Sequence, residues 1–237
     1  MKKTRRLLAL LLAMVMMLAL TVTAGAEEVT TTAAKNEITV IYTNDVHTYI
    51  DKTLSYATVS AMKQDYQKAG KQVLLVDAGD HIQGTAYGGM DEGKTIVQLM
   101  NAAGYDLGTL GNHEFDYGMA RALATVQEAK FPYVSCNFYH EKNGVVGDPV
   151  LDSYKVFDMN GTKVAFVGIT TPESFTKSTP AYFQDANGKY IYGIAAGKDG
   201  SALYAAVQKA IDAAAKEADY VIALRNLGDD PSSQPWT

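Results

Sequence analysis

The segment Leu110–Gly118, "LGNHEFDYG", places an amide, an imidazole and two carboxylates between two glycines. These four side chains belong to Asn112, His113, Glu114 and Asp116. Such a set on one turn can hold a metal ligand beside a group that donates or accepts a proton. The glycines let the backbone approach a bound group closely. The segment therefore predicts a chemically active site.

Two earlier segments present further side chains that can bind metal. "TNDVH" contains Asp45 and His47, which lie on the same side of an extended chain because they are two residues apart. "VDAGDHIQG" contains Asp80 after a glycine that lets the chain turn. Oxygen and nitrogen ligands of this kind suit Zn, Mn, Fe or Co better than Ca or Mg alone. The three strand ends thus offer Asp45, His47, Asp80, Asn112 and His113 as possible metal ligands, and Asp77 is expected to support one of them.

Other polar residues near these segments are predicted to be structural. Glu114 is expected to brace its turn rather than bind metal. His81, which follows Asp80, is expected at the rim of the site, and His140 is expected in solvent. Any one of the proposed ligands taken singly would also fit a turn or a cap. Their occurrence at three successive strand ends favours a metal site.

The elements that position these residues alternate between strand and helix patterns. We predict strands over 37–45, 72–80, 105–112, 131–138 and 219–228, helices over 54–70, 94–104, 119–130 and 201–218, and a hairpin over 154–172 that turns at Asn160-Gly161. This order indicates an α/β fold with mainly parallel pairing. In such folds ligands bind outside the carboxyl ends of the strands, where the proposed ligands lie.

The amino-terminal residues 1–26 are predicted to be a cleaved signal peptide. A basic start, an apolar run of sixteen residues and the small residues "AGA" precede Glu27. The alternative is an uncleaved anchor, for which the apolar run is short. Residues 27–36 are expected to form a flexible leader, and 37–237 one domain. We therefore expect a secreted or cell-surface protein with no stable membrane span after cleavage.

Charge and cysteine content exclude several classes. Four of the 21 basic residues lie in 1–26, which leaves 17 basic against 26 acidic residues in the predicted mature chain. This balance argues against a nucleic-acid polymer or an anionic membrane as partner. Cys136 is the single cysteine, so the chain has no internal disulfide. Its oligomeric state is left open by the sequence.

A second segment, Gly88–Thr95, matches the G-x-x-x-x-G-K-T pattern of phosphate-binding loops with its residues "GGMDEGKT". That mechanism requires a strand that leads straight into the loop. Here the preceding strand is expected to end near Asp77, and Asp91 and Glu92 would repel phosphate. We interpret the segment as a glycine-rich entry to a helix.

Several quoted segments resemble those of the calcineurin-like metallophosphoesterases. These are "YTNDVH", "VDAGDHIQGT", "LMNAAGYDLGTLGNHEFDYG" and "ITTPES". Within that family the chain is similar to the secreted bacterial 5'-nucleotidase and 2',3'-cyclic phosphodiesterase group, from about Glu37 to its end. The resemblance implies a four-layer α/β/β/α sandwich, here incomplete at the carboxyl terminus. It also implies a secreted enzyme that hydrolyses nucleotide phosphate esters.

The resemblance also implies a role for each site residue. Asp45 and His47 would hold one divalent metal ion, Asp80 would bridge two, and Asn112 would bind the second. The two ions would clamp the phosphate and activate a hydroxide. His113 would be the catalytic histidine and Asp116 would orient it. Asn112 and His113 would also bind the substrate.

The sequence departs from the family pattern near its end. Asn226 stands where the family has a histidine, and Arg225 precedes it. A later Gly-His-x-His segment and the nucleoside-binding domain do not occur in this sequence. We therefore predict a weak second metal position, with Asn226 as a weak ligand or the partner of one, and a truncated member of the family. Two alternatives stay open: a non-catalytic relative that binds metal or phosphate weakly, and a P-loop nucleotide hydrolase.

Overall fold

The computed structural model describes residues 37–228 and 233–235, so the predicted signal peptide and leader lie outside the described residues. The strands are β1 Ile38–Thr43, β2 Gln72–Asp77, β3 Leu107–Gly108, β4 Phe138–Lys142, β5 Val145–Pro149, β6 Tyr154–Met159, β7 Thr162–Thr170, β8 Tyr192–Ile194 and β9 Tyr220–Asn226. The helices are α1 Tyr56–Lys68, α2 Ala86–Gly89, α3 Lys94–Ala103, α4 Met119–Glu128, α5 Ser174–Lys177 and α6 Ser201–Ala214, with short 3-10 helices at His113–Phe115 and Pro180–Phe183.

Two sheets form the centre of the fold. β1, β2 and β3 lie side by side and are parallel, as the alternation of strands and helices predicts. In the second sheet, β6 and β7 form the predicted antiparallel hairpin and β9 pairs with β7 in parallel. The hairpin turns at Asn160 and Gly161, which have φ angles of 53° and 88°. These left-handed values match the two-residue turn expected for an Asn-Gly pair.

Alternating side chains of the central strands face two different layers. Val76 of β2 faces the second sheet and belongs to the same buried cluster as Phe166 and Leu224. Leu75, its neighbour, faces the opposite way and packs with Ile96 and Met100 of α3. This alternation follows from the two-residue period of a strand. The first sheet therefore lies between helices and the second sheet.

The outer face of the second sheet is covered by a helix. Ala165 and Val167 of β7 pack against Ala210 and Ala214 of α6, and all four side chains are buried. The order of layers is helices, sheet, sheet, helix. The predicted α/β/β/α sandwich is confirmed. None of the helices within 37–228 and 233–235 combines the length and apolar composition needed to cross a bilayer.

The prediction of a strand over 131–138 is wrong. The segment makes only isolated bridges, Gly108 with Tyr133 and Val134 with Asp152, before β4 begins at Phe138. Its backbone first bonds to β3, through the N–H of Val134 and the carbonyl of Gly108 at 3.0 Å. It then bonds to β7, through the N–H of Cys136 and the carbonyl of Gly168 at 2.8 Å. The segment is buried because it crosses from one sheet to the other.

A third, small antiparallel sheet was not predicted. β4 pairs with β5 on one side and with β8 on the other. The pattern of β5 is weak because all five of its residues are exposed. β8 has only three residues. Neither strand therefore carries the buried period that a sequence pattern detects.

Candidate metal centre and active site

The ends of β1, β2, β3 and β9 converge on one cavity of about 800 Å³. The predicted site residues that line this cavity are Asp45, His47, Asp80, Asn112, His113 and Asn226. Together they follow or end four different strands, so the sheet topology brings together residues that are far apart in sequence. The position agrees with the rule that ligands of parallel sheets bind at the carboxyl ends of strands.

Three of these side chains bring ligand-type atoms close together. His47, Asp80 and His113 each offer a ligand atom, and these atoms lie within 4.8 Å of one another. The Asp45 carboxylate lies beside them, with Oδ1 at 3.6 Å from His47 Nε2. Two carboxylates and imidazole nitrogen form a donor set that fits Zn, Mn, Fe or Co.

His47 is held in the orientation that a metal ligand needs. Its Nδ1 lies 3.1 Å from the carbonyl oxygen of Gln83. A carbonyl only accepts, so Nδ1 carries the proton and Nε2 keeps its lone pair. The free Nε2 is the atom next to Asp45. Fixing the ring through its other nitrogen is a common feature of histidine ligands.

Asp80 lies in an environment that calls for a cation. Its side chain is buried, and burial together with the nearby Glu114 raises the pKa of Asp80 to about 8. One of its oxygens accepts the backbone N–H of His113 at 2.8 Å. A divalent ion beside this carboxylate would favour its ionised form and offset the cost of burial.

Three of the proposed ligands have left-handed backbone conformations. The φ angles are 53° at Asp45, 47° at His47 and 59° at Asp80, which non-glycine residues adopt rarely. Backbone hydrogen bonds hold this geometry, from Asp45 N to the Gly79 carbonyl at 3.1 Å and from His47 N to the Asp80 carbonyl at 3.0 Å. Strain of this kind concentrates at functional sites. No local pattern of residues predicts these conformations.

Asn112 and Asn226 meet Asp80 around a glycine. A Cβ on Gly111 would overlap Asp80 Oδ1 and lie 2.9 Å from Asn226 Cγ, so no larger residue fits. Both amide side chains are buried, and their Nδ2 atoms have no hydrogen-bond acceptor in the described part of the chain. A buried polar group without a partner marks a polar site that a bound group would complete. The structure thus brings Asn226 into the site.

His113 and Asp116 form a hydrogen-bonded pair at the edge of the cavity. The distance from His113 Nδ1 to Asp116 Oδ2 is 2.6 Å. This hydrogen bond raises the pKa of the half-buried His113. Because Nδ1 is committed to Asp116, Nε2 is the atom that can act on a substrate. The ring of His47 lies close by, with its centroid 4.9 Å from that of His113.

The prediction that His81 lies at the rim is wrong. Its side chain is fully buried, with Nδ1 at 2.8 Å from Asp77 Oδ1 and Nε2 at 2.8 Å from the Tyr133 hydroxyl. Burial alone would lower the pKa of His81, but the carboxylates of Glu114 and Asp77 raise it to about 9. Asp77 is also fully buried and lies behind the cavity lining. The sequence around a polar residue next to a proposed ligand does not show whether its side chain lies at the rim of the site or in the protein interior.

The Gly88–Thr95 segment does not take part in the cavity. None of the described residues that line it comes from 88–95. The segment joins α2 to α3, and Asp91 Oδ2 accepts the backbone N–H and the hydroxyl of Thr95 at 2.9 and 2.6 Å. The interpretation as a glycine-rich entry to a helix agrees with this arrangement. His140, predicted in solvent, is exposed.

Comparison with known proteins defines the class. The calcineurin-like phosphoesterase family matches residues 38–226. The chain therefore belongs to that family, a class of hydrolases that act on phosphate esters, and the resemblance seen in the sequence is confirmed.

Particular relatives are 5'-nucleotidases. The chain is 34% identical over 162 residues to the human 5'-nucleotidase, across 61% of this chain and 28% of that protein. It is 32% identical over 165 residues to the snake venom 5'-nucleotidase of Gloydius brevicauda, across 62% of this chain and 28% of that protein. A solved structure, the 5'-nucleotidase precursor from Thermus thermophilus, superposes with a TM-score of 0.63 at 26% identity, across 81% of this chain and 37% of the other. The chain thus matches less than a third of the length of the human and snake venom relatives.

Proposed function

We propose that this chain is an exported, metal-dependent phosphoesterase of the 5'-nucleotidase type. The observation that carries the proposal is the close cluster of His47, Asp80 and His113, with the His113–Asp116 pair beside it. The similarity to 5'-nucleotidases supports a nucleotide as the substrate. The acidic balance of residues 27–237 supports a small phosphate ester rather than a nucleic-acid polymer.

The residues present fit divalent metal ions of the Zn, Mn, Fe or Co type. Asp45, His47 and Asp80 would hold the first ion, and Asp80 with Asn112 would hold a second, weaker one, with Asn226 as a further neutral ligand. When bound, the ions would neutralise phosphate charge and lower the pKa of an attacking water. Only Asp45 and Asp80 contribute carboxylates to this set, which accounts for a weak second position.

The chain's own residues supply binding and proton transfer. The Asn112 side chain and the His113 imidazole face the cavity, where they can hydrogen-bond phosphate oxygens. His113 Nε2 would give its proton to the leaving oxygen as the phosphorus–oxygen bond breaks, a step worth about 10²–10⁴ in rate. Asp116 keeps the ring oriented and favours its protonated form.

A second candidate function is weak metal or phosphate binding without catalysis. It is favoured by Asn226, a neutral side chain at the position where β9 enters the site. The buried, unpartnered amide nitrogens of Asn112 and Asn226 are compatible with such a binding site. It is opposed by the His113–Asp116 pair, since simple binding does not need an oriented proton donor.

The test is phosphate release from AMP and from an aryl phosphate by the purified chain, with Mn²⁺ and with a chelator. We expect Mn²⁺-dependent release that falls about 10²-fold or more in His113→Ala. Circular dichroism of the variant controls for folding. Mn²⁺ binding by the wild type without phosphate release from either ester would overturn catalysis in favour of the binding function.

A further inference from the structure

The loops that follow β2 and β3 are joined by one buried carboxylate. Glu114 is fully buried and accepts three backbone N–H groups: those of Asp80 at 2.8 Å, His81 at 2.9 Å and Gly111 at 2.6 Å. The first two donors belong to the loop after β2, and the third belongs to the loop after β3. A single side chain thus connects two segments that are about thirty residues apart in sequence.

These two loops carry the proposed ligands. Asp80 is one of the N–H donors, and Asn112 follows the donor Gly111 directly. A second contact joins the same loops, from the His113 N–H to Asp80 Oδ1 at 2.8 Å. Because Glu114 binds the backbone of both loops, it helps to fix the distance between Asp80 and the Asn112–His113 pair.

The geometry requires a carboxylate at this place. Two oxygens with four lone pairs can accept three N–H donors, whereas a glutamine amide would turn an N–H₂ group towards one of them. Burial makes such a mismatch costly, because the unpaired donors have no water to bond. The imidazole of His81 also lies near the carboxylate, with Nδ1 at 3.4 Å from Glu114 Oε1.

The left-handed turn at Asp80 depends on the same contact. Asp80 has a φ angle of 59°, and its N–H donates to Glu114 Oε2 at 2.8 Å. Without that acceptor the residue would gain by relaxing towards an ordinary backbone conformation. The contact with Glu114 therefore helps to hold the Asp80 side chain beside His47 and His113.

We infer that Glu114 is a positioning residue that fixes the spacing of the metal-ligating loops, and thereby the affinity of the centre for a divalent ion. This inference rests on the proposed function, since it concerns the same centre. Glu114 is fully buried and is not among the residues that line the cavity, so it is not itself a proposed ligand. It acts through Asp80 and through the Gly111–His113 turn.

Asp106 offers a matched control. It is also a carboxylate that accepts a backbone N–H, that of Leu75 at 2.7 Å, and it pairs with Lys63 Nζ at 2.7 Å. It precedes β3, whereas the metal centre follows β3, so it lies at the opposite end of the strand. Asp106→Asn therefore weakens a carboxylate that bonds the backbone of the same sheet without touching the ligand loops, although it accepts one backbone N–H where Glu114 accepts three.

The experiment is a calorimetric titration of Mn²⁺ into the metal-free full chain, the wild type beside Glu114→Gln and Asp106→Asn. We expect Glu114→Gln to bind Mn²⁺ about 10–100-fold more weakly, the usual effect of losing a partner behind a ligand. We expect Asp106→Asn to lower the melting temperature in chelator and to leave the Mn²⁺ affinity unchanged. Wild-type affinity in Glu114→Gln, or an equal loss in Asp106→Asn, would overturn the inference.

Hydrogen exchange on the wild type keeps the inference testable if Glu114→Gln does not fold. The amides of Asp80, His81 and Gly111 should already be protected in the metal-free chain, and fast exchange there would contradict a preset spacing. The Mn²⁺ titration is independent of hydrolysis. A wild type that binds Mn²⁺ but releases no phosphate would overturn the proposed enzyme and leave the positioning role standing, whereas no binding at all would overturn the positioning role.

Discussion

The sequence offers two glycine-bearing segments as candidate sites, and only one of them contributes residues to the cavity. Gly88–Thr95 matches a phosphate-binding loop but joins two helices, and Asp91 already occupies the backbone N–H and hydroxyl of Thr95. Leu110–Gly118 matches no such loop pattern. It leaves a parallel strand and reaches the cavity with Asn112 and His113.

The difference lies in what precedes each segment. β3 delivers its loop to the edge where β1, β2 and β9 also end, so ligands from several segments meet there. No strand leads directly into Gly88–Thr95 in the described part of the chain, and the segment begins within α2. A sequence motif can form a site only where the fold brings it to other functional side chains, and the topology of the sheet decides which side chains meet.

Removing the charge of Asp80, the carboxylate proposed to serve both metal positions, should have the largest effect on hydrolysis. Asp80→Asn keeps the size of the side chain and removes the charge that a divalent ion needs. Metal ions contribute several kcal/mol to such reactions, so we expect Mn²⁺-dependent phosphate release to fall by about 10³-fold or more. Activity of the variant within about tenfold of wild type would show that hydrolysis does not depend on this centre.

Loosening the proton donor should have a smaller effect. Asp116→Asn leaves His113 in place but removes the charge that orients its ring and raises its pKa. We expect kcat for AMP to fall about 10–100-fold. The Mn²⁺ affinity should stay as in the wild type, because Asp116 is not a proposed ligand. A variant that loses metal instead of turnover would contradict the assigned role.

Glycines in the two segments should respond in opposite ways to an added methyl group. In Gly111→Ala the new Cβ would collide with Asp80 and Asn226, so we expect loss of both stability and Mn²⁺ binding. Gly89 has open space around it and a helical neighbourhood, so Gly89→Ala should gain up to about 1 kcal/mol in unfolding free energy. Urea unfolding measures the stability of both variants, and titration measures their Mn²⁺ affinity. Wild-type stability and Mn²⁺ affinity in Gly111→Ala would contradict the steric argument.

The glycine-rich segment should affect stability alone. Asp91→Ala removes the acceptor of Thr95 and should cost about 0.5–1.5 kcal/mol of unfolding free energy at pH 7, with unchanged hydrolysis. Partial burial acts in the other direction, but hydrogen bonds from Thr95 lower the pKa of Asp91 below 3.8. Because the pKa of Asp91 is lower in the folded state than in the unfolded state, the ionised carboxylate stabilises the fold at pH values above the unfolded-state pKa. That stabilisation is lost as the pH falls through the folded-state pKa.

Urea unfolding at pH 7 and pH 3 tests the sign. The difference between wild type and Asp91→Ala should shrink at the lower pH. A difference that grows towards acid would mean that protonated Asp91 is the stabilising form.

Much of the fold could be predicted because its central elements carry strong periods. The continuous apolar run of β2 predicts a buried strand, and the Asn160-Gly161 pair predicts the turn of the β6–β7 hairpin. Residues 131–138 misled the prediction because they are apolar for another reason: they cross between the sheets and pack on both. Burial alone cannot separate a strand from a buried crossing segment.

The sequence predicted that the proposed site residues lie together, as they do around one cavity, but not their geometry. The convergence of Asp45, His47, Asp80 and Asn112 follows from the ends of parallel strands. The left-handed turns and the buried His81 do not follow, because they depend on contacts with residues distant in sequence, such as Glu114 and Tyr133. Long-range hydrogen bonds leave no local pattern in a single sequence.

The most direct measurement of the central claim compares His47→Ala with Lys94→Ala in Mn²⁺-dependent phosphate release from AMP. One variant removes a proposed metal ligand, and the other removes the lysine on which a phosphate-binding loop would depend. We predict that Lys94→Ala keeps wild-type activity within about twofold, as expected for an exposed side chain. His47→Ala should lose nearly all of it. Loss of activity in Lys94→Ala with retention in His47→Ala would contradict the account and move the chemistry to the glycine-rich segment.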